Sequence, residues 1–265
     1  MKAGHLLRST LVASAAALSG AAAAGLGQPD HLRIGVAHIA PEMKSTEFRV
    51  FTDEGFEQEI GRKIAASLGL EVRFVRIAPG DGRDLLETGV IDMVVERVAS
   101  EELALSRQSA LDTGFASAMT VAMRGDTDIR NWSDLAGRTV CVSEANREAR
   151  RVAAGHRARL RIERAPALSL MLVRTGECDA ALHDEATLSA LFEQEGWQKF
   201  SATLEPIEPS SLVVETAAAN ETLRGDVAAA LASLSTSEQW EARLSRWARN
   251  VSFEVYLEQD APDCH

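Results

Sequence analysis

The feature that most constrains the fold is a short motif that occurs twice in the chain. The first copy lies in LLETGVIDMVV, residues 85–95, and the second lies in LVRTGECDAALHD, residues 172–184. Each copy runs from an apolar helical end through Thr-Gly, two residues and Asp into an apolar strand. The glycine favours a turn out of the helix, and the aspartate can hold the loop. We therefore predict two similar corners, with structural rather than ligand-binding roles for Asp92 and Asp179.

Strand and helix patterns alternate around each copy of the motif. The first set has predicted strands at 31–38, 70–77 and 91–95 and predicted helices at 55–68 and 84–87. The second set has predicted strands at 139–142, 159–163 and 178–183 and predicted helices at 144–153, 168–174 and 185–194. Alternation of this kind is typical of an α/β fold with parallel strands.

The two sets predict two α/β lobes, with the second lobe inserted into the first. Two extended crossings are expected near 118–124 and 209–215, so that lobe 1 comprises 25–118 and 215–265 and lobe 2 comprises 119–214. Two amphipathic segments follow at 223–234 and 238–249. They have no strands of their own, and we expect both helices to pack on the first lobe.

The first 24 residues have the composition of a secretory signal peptide. Lys2 and Arg8 form a positive start, residues 11–18 are rich in Ala and Leu, and Ala22–Ala24 fits a cleavage site. The alternative is an uncleaved anchor, although the apolar stretch is short for a membrane span. A cleaved signal predicts export to the periplasm.

The three cysteines are Cys141, Cys178 and Cys264. The first two fall in predicted strands of the second lobe. If these strands are neighbours, an exported chain can join the two cysteines in a disulfide. The alternative is a pair of buried thiols that act as small apolar side chains.

Charge and motifs exclude several functions. The formal net charge is −11, whereas a nucleic-acid-binding protein needs a basic face. The chain has no Gly-x-Ser-x-Gly elbow, phosphate loop or His-Glu-x-x-His motif, so we expect no catalytic set, cofactor or metal. In open parallel sheets, ligands bind outside the carboxyl ends of the strands. Two lobes with facing edges would form a cleft that closes around a solute.

The order and spacing of several segments resemble a known family. These segments are LRIGV, GFEQEIGRKIAASLGLEVRFV, LLETGVIDMVV, WSDLAGRTVCV, TGECDAALHD and LRGDVAAALASLSTSEQWEARLSRW. Together they are similar to type II periplasmic solute-binding proteins of family 3, which serve polar amino-acid ABC importers. The resemblance runs from Leu32 to about Trp247. It implies a two-lobed type II fold, a monomer, a small polar solute and an importer permease as partner.

The resemblance is weaker in the implied amino-acid pocket. Met43 stands where the family usually has an aromatic residue, and Leu103 stands where an Arg usually pairs with the ligand's α-carboxylate. The sequence SEAN, residues 143–146, replaces a common Gly-Thr-Thr. Asp184 matches the family's Asp that holds an α-ammonium group.

Four residues at strand ends are the first candidates for the site. Asp184 ends a strand and precedes a helix, so it is either an acceptor for a ligand cation or a helix N-cap. His183 faces either the ligand or the sheet. Glu96 and Arg97 follow a strand at the same edge of lobe 1. They either bind ligand, with Arg97 offering a planar fork to a carboxylate, or form a solvated pair.

Loop residues supply the remaining candidates. Arg107 is an alternative replacement for the missing Arg, and Glu42 and Met43 are expected at the rim of lobe 1. Ser143 and Asn146 occupy the turn into a helix, where hydroxyl, amide and free N–H groups can bind a ligand. Glu144 in the same turn argues against an anion unless it points away.

Three functions compete on this scaffold. The first is solute binding for ABC-type import. The second is a periplasmic dehydratase of the cyclohexadienyl type, with Glu96 or Glu144 as general acid. The third is a divergent partner protein of a periplasmic oxidase system. Fold alone does not separate them.

Overall fold

A computed structural model describes residues 31–39, 51–102 and 110–259. The strands in these ranges are β1 (His31–Val36), β2 (Glu71–Arg76), β3 (Met93–Ala99), β4 (Ala110–Met123), β5 (Thr139–Ser143), β6 (Arg159–Glu163), β7 (Ala180–Asp184) and β8 (Ile207–Thr216). The α-helices are α1 (Glu57–Ser67), α2 (Gly82–Glu87), α3 (Arg147–Gly155), α4 (Pro166–Thr175), α5 (Glu185–Phe192), α6 (Glu221–Leu234) and α7 (Ser237–Glu258). Two short 3₁₀ helices lie at Trp132–Leu135 and Gln198–Phe200.

The strands form a sheet in the order β2-β1-β3-β8-β4-β7-β5-β6. β1 pairs in parallel with β2 and β3, and β5 pairs in parallel with β6 and β7. The central strands β8 and β4 are antiparallel to each other and to their outer neighbours. Each half of the sheet therefore contains one predicted parallel set, and β4 and β8 connect the halves.

The connecting strands are irregular where they pass from one half to the other. β4 changes partner at Met119, which is paired with Ile207 of β8 and also with Asp184 of β7. The β4–β8 register shifts between Ser117 and Met119, and Glu208 has a positive φ of 55°. The predicted fold is confirmed: it has two lobes, the second inserted into the first, with two hinge crossings.

The two Thr-Gly-x-x-Asp corners have the same hydrogen bonds. Asp92 accepts the backbone N–H of Arg33 at 2.8 Å and donates its own N–H to the Arg33 carbonyl at 2.8 Å. Asp179 forms the matching bonds with Thr139, at 2.8 and 2.9 Å. The glycine of each motif has a positive φ, 68° in the first copy and 81° in the second. Both aspartates thus hold a corner to the neighbouring strand, which is the predicted structural role.

The sequence is consistent with either a disulfide or two free thiols at Cys141 and Cys178. The structure contains a disulfide between Cys141 of β5 and Cys178, which lies just before β7. Both residues are buried in the core. The bond therefore ties two neighbouring parallel strands of the second lobe to each other.

The last helix differs from its prediction in length and in position. The first half of α7 is anchored on lobe 1, where Arg246 pairs with Glu59 at 2.8 Å and Trp247 donates to the Asp53 carbonyl at 2.9 Å. Its second half lies against α4 and α5, and Ser252 accepts a hydrogen bond from Trp197 at 3.0 Å. The expectation that this helix packs on the first lobe is therefore correct only for its first half. The helix extends nine residues beyond its predicted end, and this additional part packs on the helices of the second lobe.

The main core cluster follows from this arrangement. It contains side chains from both sets and from the last helix, among them Ile34, Ile60, Leu170, Leu188 and Trp247. Burying this apolar surface is the main favourable contribution to stability. None of the described helices has both the length and the apolar character needed to cross a bilayer.

Candidate functional site

A buried ion pair connects the two lobes where β3 and β7 end. The Arg97 guanidinium donates from both terminal nitrogens to the Asp184 carboxylate, at 2.7 and 2.6 Å. Side-chain exposure is 18% for Arg97 and 3% for Asp184. A bidentate arrangement of this kind fixes both groups in direction as well as distance.

Strand geometry explains which side chains enter this pair. Alternate residues of a strand point to opposite faces, so Met93, Val95 and Arg97 share one face of β3. Asp184 stands at the N-cap position of α5, with φ −64° and ψ 133°, but its side chain forms no capping hydrogen bond. Asp184 therefore begins the helix through its backbone while its carboxylate faces Arg97.

Three further groups position the Arg97 guanidinium. Its central carbon lies 5.0 Å from the centre of the Phe115 ring, which is within range of a cation–π interaction. Glu57 Oε1 lies 3.7 Å from Nε, and Ser210 Oγ lies 3.5 Å from a terminal nitrogen. These groups fix the orientation of the guanidinium.

The electrostatics of the pair are unequal. Burial raises the pKa of Asp184 to about 6, and the negative charges of Glu54 and Glu57 also raise it, although Arg97 works in the opposite direction. Burial works to lower the pKa of Arg97, but the charges of Asp184 and Glu57 outweigh burial and raise it. Both pKa values are therefore raised, and the nearby carboxylates of Glu54 and Glu57 contribute to both shifts.

A second buried contact between the lobes involves Glu54, which lies just before α1. Its Oε1 is 2.8 Å from His183 Nδ1 and accepts a hydrogen bond from Asn146 Nδ2 at 3.0 Å. Burial alone would raise the pKa of Glu54, but the His183 charge and the hydrogen bonds lower it below its ordinary value. Glu54 is therefore an ionised carboxylate that holds the lobes together.

Both ring nitrogens of His183 have hydrogen-bond partners. The Ser169 hydroxyl donates to the Pro166 carbonyl at 2.8 Å and also lies 2.8 Å from His183 Nε2. The other ring nitrogen, Nδ1, lies 2.8 Å from the Glu54 carboxylate, and which nitrogen donates depends on the tautomer of the ring. His183 is fully buried. Both ring nitrogens are thus directed at protein groups.

The turn into α3 contributes two buried polar residues. Asn146 caps the helix, since its Oδ1 accepts the Ala149 N–H at 2.8 Å while its amide nitrogen reaches Glu54. Ser143 is buried, and its hydroxyl lies close enough to the Glu54 carboxylate to help lower the pKa of Glu54. Glu144 in the same turn is exposed to solvent.

Glu96 lies on the opposite face of β3 from Arg97, beside Gly82 at the start of α2. Burial raises its pKa, and the negative charge of Glu215 adds to this effect. The alternative of a solvated Glu96–Arg97 pair is therefore wrong, because adjacent strand residues point apart and Arg97 is paired with Asp184. The candidates Glu42, Met43 and Arg107 lie outside the described residues.

Sequence analysis did not identify Glu54 or Glu57. Both lie in TDEGFEQ, between the first strand and the first helix, and that connection follows the carboxyl end of β1. The signal was available, because the same edge-of-sheet argument that selected Arg97 also covers this loop. Within the described ranges, no three His, Cys, Asp or Glu side chains are grouped as a metal site requires.

Comparison with known proteins places this scaffold in a family. The model of a family described as bacterial extracellular solute-binding proteins, family 3, matches residues 32–250. The chain therefore belongs to family 3 of the bacterial extracellular solute-binding proteins. No curated protein matches the sequence significantly.

Solved structures agree with the fold. A mutant of the protein ArgBP from T. maritima is 18% identical, with 82% of this chain and 95% of that chain covered and a TM-score of 0.53. An ancestral amino acid-binding protein, AncCDT-1, described as a precursor of cyclohexadienyl dehydratase, is 17% identical, with coverage of 82% and 95% and a TM-score of 0.52. The GluR0 ligand-binding core in complex with L-glutamate is 19% identical, with coverage of 84% and 100% and a TM-score of 0.51.

Proposed function

We propose that this chain binds a small polar solute between its two lobes and delivers it to an ABC-type importer. The observation that carries the proposal is the buried Arg97–Asp184 pair, whose members come from opposite lobes. A carboxylate and a guanidinium that meet only when the lobes close are the groups that a zwitterion requires. Family membership supports the binding role, and amino-acid-like solutes fit both charges.

The proposed binding cycle begins with the lobes moving apart at the two crossings. Opening separates Arg97 from Asp184, and it separates Glu54 from His183 and Asn146. A zwitterionic solute then places its ammonium group on Asp184 and its carboxylate on Arg97. One internal ion pair is exchanged for two pairs with the solute, and closure removes water from both.

The remaining candidates have supporting roles in this proposal. Ser143, Asn146 and His183 form the wall on lobe 2, and Glu96 lies near the mouth on lobe 1. We propose lobe limits of 25–118 and 215–265 for lobe 1 and 119–214 for lobe 2, because β4 changes partner at Met119. We also propose that residues 1–24 are a cleaved signal and that the mature chain acts in the periplasm as a monomer.

A thermal-shift screen with amino acids, opines, polyamines and organic acids tests the binding role. A solute present at 100 times its Kd stabilises the folded chain by about 2.7 kcal/mol. Small-angle scattering with and without that solute then tests for lobe closure. Uptake of the labelled solute by cells with and without the gene tests delivery to an importer.

Two results would contradict the proposal. Stabilisation by none of the solutes would favour the partner-protein alternative. Consumption of prephenate or arogenate would favour the dehydratase, for which Glu96 is the general-acid candidate because burial raises its pKa. Loss of that consumption in Glu96→Gln would identify the acid.

A further inference from the structure

A groove separate from the candidate functional site lies between the turn after α5 and the second half of α7. Its volume is about 310 Å³, at the lower end of the range of about 300–1,000 Å³ that is usual for small-molecule pockets. Two guanidiniums, two aromatic rings, an amide and a hydroxyl contribute to its lining: Arg174, Arg249, Phe253, Tyr256, Gln194 and Ser252. None of these side chains takes part in the buried contacts around Arg97 and Glu54.

The Arg174 guanidinium, near the end of α4, rests on aromatic rings. Its central carbon lies 5.1 Å from the centre of the Trp197 ring and 4.9 Å from that of Phe200. Nη1 donates to the Gly196 carbonyl at 3.0 Å, whereas the buried Nε has no partner among the described residues. Burial lowers the pKa of Arg174, and no charge of a neighbouring carboxylate offsets this effect. Because a guanidinium has five N–H donors, Arg174 keeps donors for an anion.

Arg243 in α7 provides a comparison for Arg174. Its central carbon lies 4.6 Å from the centre of the Trp240 ring, and burial lowers its pKa as well. Glu59 lies 3.3 Å from the Nε of Arg243 and offsets part of the effect of burial. Arg174 forms no such ion pair within the described part of the chain. A partly buried cation without a counter-charge is costly, and a bound anion would supply the missing charge.

Arg249 of α7 contributes a second guanidinium to the groove. Its Nη1 donates to Ser245 Oγ at 2.6 Å, and it forms no ion pair with any residue in the described ranges. Glu195 also lines the groove, so the lining carries two positive charges and one negative charge. This local excess of positive charge contrasts with the formal net charge of −11 for the whole chain. The groove therefore attracts an anion.

The aromatic residues of the groove lie beside these cations on α7. Phe253 and Tyr256 are three residues apart, and Arg249 is four residues before Phe253, so the three side chains share one face of the helix. The exposed fraction is 61% for Phe253 and 74% for Tyr256. Exposed rings next to guanidiniums suit a ligand that joins a flat apolar body to an anionic group.

We propose that this groove binds a small aromatic carboxylate, with the carboxylate held by Arg174 and Arg249 and the ring packed against Phe253 and Tyr256. A guanidinium presents planar, paired donors that match the two oxygens of a carboxylate. The volume of the groove suits a ligand with a single ring. The site lies outside the cleft, so the inference goes beyond the proposed solute binding and does not depend on it.

The groove contains a built-in reporter for binding. Tyr256 is the only tyrosine in the chain, so an NMR spectrum of protein with isotope-labelled tyrosine rings contains the signals of this ring alone. The probes are 3-phenylpropanoate and 3-phenylpropanamide, which have nearly the same shape but differ in charge. We expect 3-phenylpropanoate to shift the Tyr256 signals and to bind about tenfold more tightly than the amide, because its hydrogen bonds join two charged groups.

Two variants of the groove and one matched control test the role of the guanidiniums. Arg249 is exposed, so Arg249→Gln should fold normally and weaken binding of 3-phenylpropanoate about tenfold, with little change for the amide. Arg174→Gln should have a similar effect, and its melting temperature checks that the chain is folded. Arg62, whose guanidinium lies 5.2 Å from the Phe74 ring in the first lobe, is the control. Arg62→Gln should keep the full affinity for 3-phenylpropanoate.

Three results would overturn the inference and leave the proposed function untouched. The first is a Tyr256 signal that stays in place at millimolar concentrations of 3-phenylpropanoate. The second is equal affinity for the carboxylate and the amide, which would show that the guanidiniums do not recognise the charge. The third is unchanged affinity for 3-phenylpropanoate in Arg249→Gln and in a folded Arg174→Gln, which would place the bound carboxylate elsewhere.

Discussion

Two arginine–aspartate pairs in this molecule have similar chemistry but opposite electrostatics. Arg33 and Asp92 form a bidentate pair, at 3.0 and 2.6 Å, between neighbouring segments of one lobe. Arg97 and Asp184 form a bidentate pair across the two lobes. Side-chain exposure is 33% and 18% in the first pair and 18% and 3% in the second.

The pKa shifts of the two aspartates have opposite signs because the paired arginine outweighs burial at one aspartate and not at the other. Burial works to raise the pKa of Asp92, but the side-chain and backbone hydrogen bonds from Arg33 outweigh it, so the pKa falls. Burial dominates at Asp184 and raises its pKa to about 6. The first pair lies within one lobe, whereas the second joins residues of the two lobes. In the proposed binding cycle, Arg97–Asp184 is the pair that exchanges its partners for a solute.

The largest expected effect comes from removing the charge of the cleft aspartate. Asp184→Asn should weaken binding of the cognate solute about 100-fold, because the solute cation loses its charged acceptor. It should change the free energy of unfolding at pH 7 by less than the loss of a buried ion pair usually costs, because the raised pKa of Asp184 means that the neutral side chain already favours the folded state. Titration calorimetry and urea unfolding measure the two effects. Equal solute affinity in the variant and the parent would contradict a binding role for this pair.

The disulfide provides the next largest effect and has a counterpart in the first lobe. When the two corners are aligned, Cys141 corresponds to Gly35 and Cys178 corresponds to Ile91. In the first lobe, the Ile91 side chain occupies the space beside Gly35. Replacing both cysteines with serine should cost about 4 kcal/mol for a loop of 37 residues, as judged by urea unfolding. A reducing agent should destabilise the parent chain by a similar amount and leave the double variant unchanged. Insensitivity of the parent to reduction would show that the bond adds no stability.

The raised pKa of Asp184 predicts a pH dependence of solute binding. The cation requires an ionised carboxylate, so affinity should fall about tenfold for each pH unit below about 6. The stability contribution has the opposite sign. Because the folded-state pKa lies above the ordinary 3.8, protonation favours the folded state, and stability should decline as pH rises from about 4 to about 6. Titrations and unfolding curves across this range, with Asp184→Asn as the flat control, measure both trends.

The corner aspartates should give the smallest effects. Asp92→Asn and Asp179→Asn each retain an acceptor for the backbone N–H but lose the negative charge. We expect each to lower the free energy of unfolding by about 1 kcal/mol and to leave solute affinity unchanged. A loss of affinity comparable to that of Asp184→Asn would remove the distinction between structural and functional pairs.

The fold was predictable because its signals are local. Helical spacing of Phe56, Ile60 and Ile64 identified α1, and all three side chains are buried. The repeated corner identified two similar lobes, and the alternation of strands and helices placed parallel strands in each. The length of α7 was underestimated because its second half is stabilised by contact with α4 and α5, which the local pattern does not contain.

The site was only partly predictable because its contacts are distant along the chain. Arg97 and Asp184 are 87 residues apart, and Glu54 and His183 are 129 residues apart. Sequence analysis selected Arg97, Asp184 and His183 by their places at strand ends. It did not show that Arg97 pairs with Asp184, or that Glu54 joins His183.

The sequence by itself determined the periodic elements, the repeated corners and the two strands that cross between lobes, because each depends on residues close together in the chain. Only the tertiary structure decided which charges meet in the cleft. Burial and Coulomb interactions depend on distances in space, and those distances are set by the packing of one lobe against the other.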